Sequence, residues 1–262
     1  MAQKTLPVLS VRDLNPLYEG FSDEDDEHGK PVFLYSSFGY VTSDYTAYFG
    51  QSALRKYDLR LEDIRDSLKL LLDEEVYPQA PSNLTIIPIE DEGKLFIKGP
   101  RLNTAFIGTK ELPKLLLQEA KTLQFLAHHP HPNIVRYHGC LIRRGLIVGL
   151  GLERCEVTME EQLRAGLQDF DVDTFMRQIT SAVKHLHSIG LAHNDINPTN
   201  IMFNKQQPIL IDFGSCQPFG CTLITTGTPG WTDDDFTLSA PQHDETALGK
   251  IRIWLEENVN SM

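Results

Sequence analysis

Residues 193–214 read H-N-D-I-N-P-T-N-I-M-F-N-K-Q-Q-P-I-L-I-D-F-G. Three polar side chains, Asp195, Asn200 and Asp212, are set between two short apolar runs, Ile201 to Phe203 and Ile209 to Ile211, which have the composition of strands. Pro198 locks a turn after Asp195, and Asn204 to Pro208 suit a hairpin that returns the chain to Asp212 beside Asn200. A hard cation such as Mg²⁺ takes oxygen ligands and keeps several waters. One carboxylate and one amide oxygen therefore suffice when a phosphate supplies the rest. Asp195 is then free to receive a hydroxyl proton. These are the parts of a divalent-metal and phosphate site.

The order His193-x-Asp195-x-x-x-x-Asn200, followed by Asp212-Phe213-Gly214, resembles the catalytic loop and D-F-G of the protein kinase superfamily. Turn-capping alone is the plainer use of Asp, Asn and Pro, but it does not explain both motifs at the family's separation. The resemblance implies an α+β, bilobal kinase-like fold with a small β-rich N-lobe and a mainly helical C-lobe. It also implies ATP and Mg²⁺ as cofactors, Asp195 as catalytic base, and Asn200 and Asp212 as metal ligands. Two positions depart from the pattern. Asn194 stands where the family has an arginine that clasps a phosphorylated loop, which puts that control in doubt. Asn197 stands where a lysine neutralises the transferring phosphoryl group, which removes one positive charge.

Working toward the N-terminus, Leu84 to Lys98 reads as a hairpin turning at Gly93. Glu111 to Ala127 has leucines at helical spacing with Glu119 among them. A carboxylate on an apolar stripe needs a cation, and the family resemblance makes Lys98 its partner and the phosphate-gripping lysine. His131 to Gly139, H-P-N-I-V-R-Y-H-G, matches a family segment between helix and strand. The histidines at 128, 129 and 131 lack the carboxylate of a metal site. Leu146 to Leu152 is a short apolar strand, and Glu153-Arg154-Cys155 falls where the family's lobes join. Thr158 caps a helix with acids in its first turn. Phe175 to His187 is a helix ending at Gly190, in which His185 and His187 are structural.

Beyond Gly214, Gly227-Thr228-Pro229-Gly230-Trp231 resembles the family's substrate-side loop, with Thr232 to Phe236 replacing the usual A-P-E. His243-Asp244 resembles the start of a helix that buries an Asp beneath the catalytic loop. Gly214 is followed by 48 residues, so the C-lobe is expected to be truncated. No glycine occurs from Gln51 to Glu92, where a kinase's glycine-rich loop would let backbone amides approach phosphate. Ser82-Asn83 is the nearest substitute. In H-N-D-x-N-P-T-N and G-T-P-G-W the chain resembles the short atypical kinase-like proteins of filamentous fungi.

Residues 1–80 are expected to be an N-terminal extension: a loosely ordered arm with the acidic run Asp23 to Glu27, an aromatic segment Pro31 to Gly50, and one amphipathic helix, Leu54 to Leu72. Residues 81–152 then form the N-lobe and 153–262 the C-lobe. The net charge of −12 argues against nucleic acid as partner, which needs clustered Lys and Arg. Without a run long enough to span a bilayer, no membrane partner is expected. Four cysteines without a framework or zinc spacing suit a reducing, cytoplasmic compartment. The functional expectation is an ATP/Mg²⁺-dependent phosphotransferase acting on a protein Ser/Thr hydroxyl. The alternatives are a pseudokinase acting as binding module, favoured by the missing glycine loop, Asn194 and Asn197, and a small-molecule kinase.

Overall fold

The computed structural model describes residues 8–164, 170–225, 227–232 and 236–259. Positions 233–235, in the stretch that replaces A-P-E, and the first seven residues of the expected arm lie outside these. The chain divides into two compact units. The first is built from residues up to Ala80 with Gly99–Leu116 and Ile142–Gly149, the second from Pro81–Lys98, Leu117–Leu141 and the chain from Leu150 onward. Two later stretches thus join the residues up to Ala80 in the first unit.

In the first unit, β1 (Leu17–Asp25), β2 (Pro31–Val41), β3 (Ala47–Ser52) and β4 (Lys69–Leu70) form an antiparallel sheet in that order. Two short helices, α1 (Leu61–Ser67) and α2 (Asp73–Val76), accompany it. Alternate residues of β2, Phe38 and Tyr40, turn to one face and pack with Leu59, Ile64 and Leu68. Phe38 and Ile64 are fully buried, each worth about 1.5–3 kcal/mol of transfer free energy.

The N-terminal region differs from its sequence pattern in two places. The acidic run is not part of a loose arm: it ends β1 and enters a turn in which Asp26 Oδ1 accepts from the amides of His28 and Lys30. The helix expected from Leu54 to Leu72 is reduced to α1, because Lys69 and Leu70 pair with Phe49 and Tyr48 of β3. Tertiary strand pairing overrides the leucine spacing.

The second unit carries β5 (Phe96–Lys98), which pairs with β7 (Leu146–Leu152), itself beside β6 (Tyr137–Arg143); residues 142–149 of these last two strands count with the first unit. The expected Leu84 to Lys98 hairpin does not form. Residues 89–94 wind into a 3-10 helix, and the stretch before it turns elsewhere: Cys140 N donates to Thr85 O at 2.7 Å and Ile87 N to Cys140 O at 3.0 Å. This parallel bridge occupies the outer edge of β6. Gly139 permits it, since at φ +133° a Cβ there would lie 2.8 Å from Thr85 O.

Helix α3 (Glu111–Ala127) has the expected bounds, and its buried stripe includes Ala120, Leu123 and Leu126. After β8 (Val157–Thr158) and α4 (Met159–Arg164) comes α5 (Val172–Ser188). Asp171 caps α5 by accepting from Thr174 N, and Gly190 at φ +80° ends it. Then follow β9 (Leu191–Ala192), the hairpin β10 (Ile201–Asn204) and β11 (Gln207–Leu210), and β12 (Gln217–Pro218). Helix α6 (Pro241–Val259) closes the chain. The fold is α+β and kinase-like, as the sequence implies. Among the described residues no helix is long and apolar enough to cross a membrane.

Candidate functional site

The loop from His193 to Asn200 is fixed from below by a buried carboxylate. Asp244, in the first turn of α6, is fully buried. Its Oδ2 accepts from His193 N and His187 Nε2, both at 2.9 Å, and its Oδ1 from Asn194 N at 2.8 Å. A buried carboxylate requires such donors. The backbone of the loop supplies two of the three.

His193 ties the loop to the D-F-G segment: its Nε2 donates to Ile211 O at 3.0 Å, and its ring meets Phe213 edge-on at 5.0 Å. Across the hairpin, Ile211 N donates to Asn200 O at 2.9 Å. The hairpin thus returns the chain bearing Asp212 to the strand that begins after Asn200. Asp212 sits in the left-handed region at φ 60°, ψ 79°, a conformation short polar residues tolerate.

Lys98 Nζ lies 2.5 Å from Glu119 Oε1 and 2.8 Å from Asp212 Oδ1. Phe213 N donates to the same Glu119 oxygen at 3.2 Å. Burial alone would lower the Lys98 pKa, but the two carboxylates outweigh it and hold the ammonium up to about 12. Burial would raise Asp212, yet Lys98 and the Gly214 amide hold its carboxyl down to about 2. Glu119 is raised, by burial first and against the pull of Lys98. The three charges form one cluster centred on the lysine.

Asp195 is held by four groups. Its Oδ1 accepts from Thr228 Oγ1 at 2.7 Å, Thr228 N at 2.8 Å and Asn197 Nδ2 at 3.1 Å. Its Oδ2 accepts from Asn200 Nδ2 at 3.0 Å. Asn197 also accepts from Thr199 N and spans to Thr228 Oγ1 at 3.1 Å. It is a buried bracket rather than a group that reaches outward. The sequence marks Thr228 only by its place in G-T-P-G-W, and the structure makes it a site residue. Gly227 before it is forced, since a Cβ there would lie 2.9 Å from Asn194 O and 2.2 Å from Thr232 Cγ2.

The structure thus gathers Lys98, Glu119, Asp195, Asn200 and Asp212 in the second unit. It places Ser82-Asn83 elsewhere: that stretch leads into the bridge on the outer edge of β6, whereas Lys98 ends β5 on the opposite edge of the sheet. The histidines at 128–131 are tied into the fold. His131 Nε2 meets Ser181 Oγ at 3.1 Å, and His185 Nε2 donates to His129 O at 2.8 Å.

A family model described as "Protein kinase domain" matches residues 100–233, slightly more than half the chain. The span contains Glu119, Asp195, Asn200, Asp212 and Thr228; Lys98 lies just before it and Asp244 beyond it. Among curated relatives, the chain is 35 % identical over 123 residues to the serine/threonine-protein kinase PknG of Mycolicibacterium smegmatis, covering 45 % of this chain and 16 % of that protein. It is 28 % identical over 141 residues to the serine/threonine-protein kinase/endoribonuclease IRE1 of Hypocrea jecorina, covering 45 % of this chain and 11 % of that protein. Mitogen-activated protein kinase kinase kinase 4 of Mus musculus is 35 % identical over 111 residues, 42 % of this chain and 7 % of its own length. The chain therefore spans only a small part of these relatives.

Proposed function

Because the chain belongs to the protein kinase family, we propose that it is an ATP- and Mg²⁺-dependent phosphotransferase acting on Ser or Thr hydroxyls of a protein. The observation that carries this reading is Lys98 held between Glu119 and Asp212, the ion pair that phosphotransfer in this family requires to be in place. The names of two relatives, serine/threonine-protein kinases, support the acceptor class.

The donor set suits the cation. Asp212 offers a carboxylate and Asn200 an amide oxygen, both hard ligands. The Ile211 to Asn200 backbone bond holds the two chain segments that carry them together. Mg²⁺ bound there would offset the charge of the phosphates. Lys98, oriented by Glu119, would hold the α and β phosphates. Asp195 would accept the hydroxyl's hydrogen bond and take its proton as that oxygen bonds to the γ-phosphorus of ATP and the bond to the leaving ADP breaks. Thr228 and Asn197 hold that carboxylate still, so positioning is paid in advance. Four thiols without a disulfide, two of them buried, support a reducing intracellular location.

A second reading, a nucleotide-binding pseudokinase, is favoured by one observation. The chain before β5 bonds to Cys140 on the outer edge of β6 instead of pairing with β5 as a glycine-rich hairpin would. Phosphate transfer from labelled ATP to Ser/Thr peptides and to small hydroxyl compounds separates the readings. Transfer to peptides by the wild type, lost in Asp195→Asn, supports the kinase. Transfer to small alcohols alone moves the substrate class, and ATP binding without transfer to either selects the pseudokinase.

A further inference from the structure

Position 194 carries a neutral amide whose hydrogen-bonding capacity is spent inside the protein. Asn194 is 1 % exposed. Its Nδ2 reaches Ala192 O at 2.9 Å, Ser215 O at 3.0 Å and Ser239 Oγ at 3.0 Å. Its Oδ1 accepts from Ala240 N at 3.4 Å. Ser239 in turn donates to Gln217 O at 3.0 Å. One side chain therefore joins three segments: β9 ahead of the loop, the chain directly after Asp212-Phe213-Gly214, and the entry to α6.

The backbone at this position matters equally. Asn194 adopts φ +63°, which asparagine tolerates better than most residues. Its N–H is held by Asp244, and its carbonyl is the surface against which Gly227 packs. Asp195 follows immediately, and Thr228, which holds Asp195, follows Gly227. The same residue is thus bonded on the D-F-G side through Ser215 and set against the Thr228 side through its carbonyl.

We infer that Asn194 is a positioning residue for the phosphotransfer proposed above: an uncharged latch that keeps the Asp195 loop in register with the segment bearing Asp212. An amide is needed because the site presents acceptors, Ala192 O and Ser215 O, together with a donor, Ala240 N. A carboxylate of the same shape would place oxygen against both carbonyl oxygens and forfeit both bonds. The inference rests on the reading of Asp195 as base.

The test compares Asn194→Gly, which keeps the positive φ without strain, with the isosteric Asn194→Asp. Both should lower kcat by about 10²-fold, the scale on which misplacement acts, and leave KM for ATP within about twofold. Ser239→Ala, a milder loss of one partner, should lower kcat about fivefold and serves if the others do not fold. Near-wild-type kcat in folded Asn194→Asp would mean that the site needs only the shape, overturning the latch. Should the wild type transfer no phosphate, the kinase reading fails separately, and amide hydrogen exchange over 191–196 and 213–218 decides. Faster exchange in Asn194→Gly supports the latch, and unchanged exchange overturns it.

Discussion

Lys98 and Glu119, one on a three-residue strand and the other on the long α3 helix, meet at 2.5 Å. The lysine side chain is 22 % exposed and the glutamate 8 %, so water screens the pair little. Removing the cation leaves a buried carboxylate uncompensated. Lys98→Met should therefore lower unfolding free energy by about 3–5 kcal/mol, read from urea denaturation. Lys98→Met with Glu119→Leu should recover much of it, because the orphaned charge is gone. Equal loss in the single and double variants would show that the pair is not coupled.

Asp195 accepts from both the hydroxyl and the amide of Thr228. Asp195→Asn should reduce turnover by about 10²–10⁴-fold, the usual contribution of a general base, while ATP affinity stays close to wild type. Thr228→Val removes only the hydroxyl and should cost about tenfold or more in kcat, the worth of a hydrogen bond to a charged group. Thr228→Ser should restore it. If Val and Ser behave alike, the hydroxyl is not what holds the carboxylate.

Asp244 gathers the amides of His193 and Asn194 with no exposure to water. Asp244→Ala orphans these donors and should cost at least about 3 kcal/mol. Asp244→Asn, which keeps one acceptor, should cost less. Chemical denaturation at neutral pH distinguishes the ranking from an equal loss in both.

His131 is neutral by its bonds: Nδ1 accepts from Asn133 N at 3.1 Å, and Nε2 meets Ser181 Oγ. Burial first, then the neighbouring His185, lowers its pKa below the ordinary 6.5. A base whose folded value is depressed binds its proton more readily when unfolded, so stability rises with pH across that window. Its contribution is whole above about 6.5 and is lost as pH falls below it. Thermal melts should therefore show a steeper fall from pH 7.5 to 5.5 in wild type than in His131→Asn. Parallel curves would remove His131 from the acid response.

Much of this was legible in the sequence because it is written in local patterns. Helix α3 keeps the bounds its leucine period gives. The β10–β11 hairpin forms where the apolar runs flank Asn204 to Pro208, and it brings Asp212 to Asn200. Lys98 meets Glu119 for a reason visible in one dimension, the cost of an unpaired acid on an apolar stripe. The failures are non-local. Thr85 to Ile87 has strand composition but pairs with Cys140 rather than with the chain after Gly93. Lys69 and Leu70 leave a helical pattern to join β3. Asn194 reads as a missing charge, and only the folded chain reveals the acceptors around it.

Calorimetric titration of ATP with and without Mg²⁺, in wild type and Asp212→Asn, tests the central claim most directly. The account predicts one-to-one binding that depends on Mg²⁺ and weakens by about tenfold or more in the variant. No binding at millimolar ATP, or binding indifferent to both Mg²⁺ and Asp212, would contradict it.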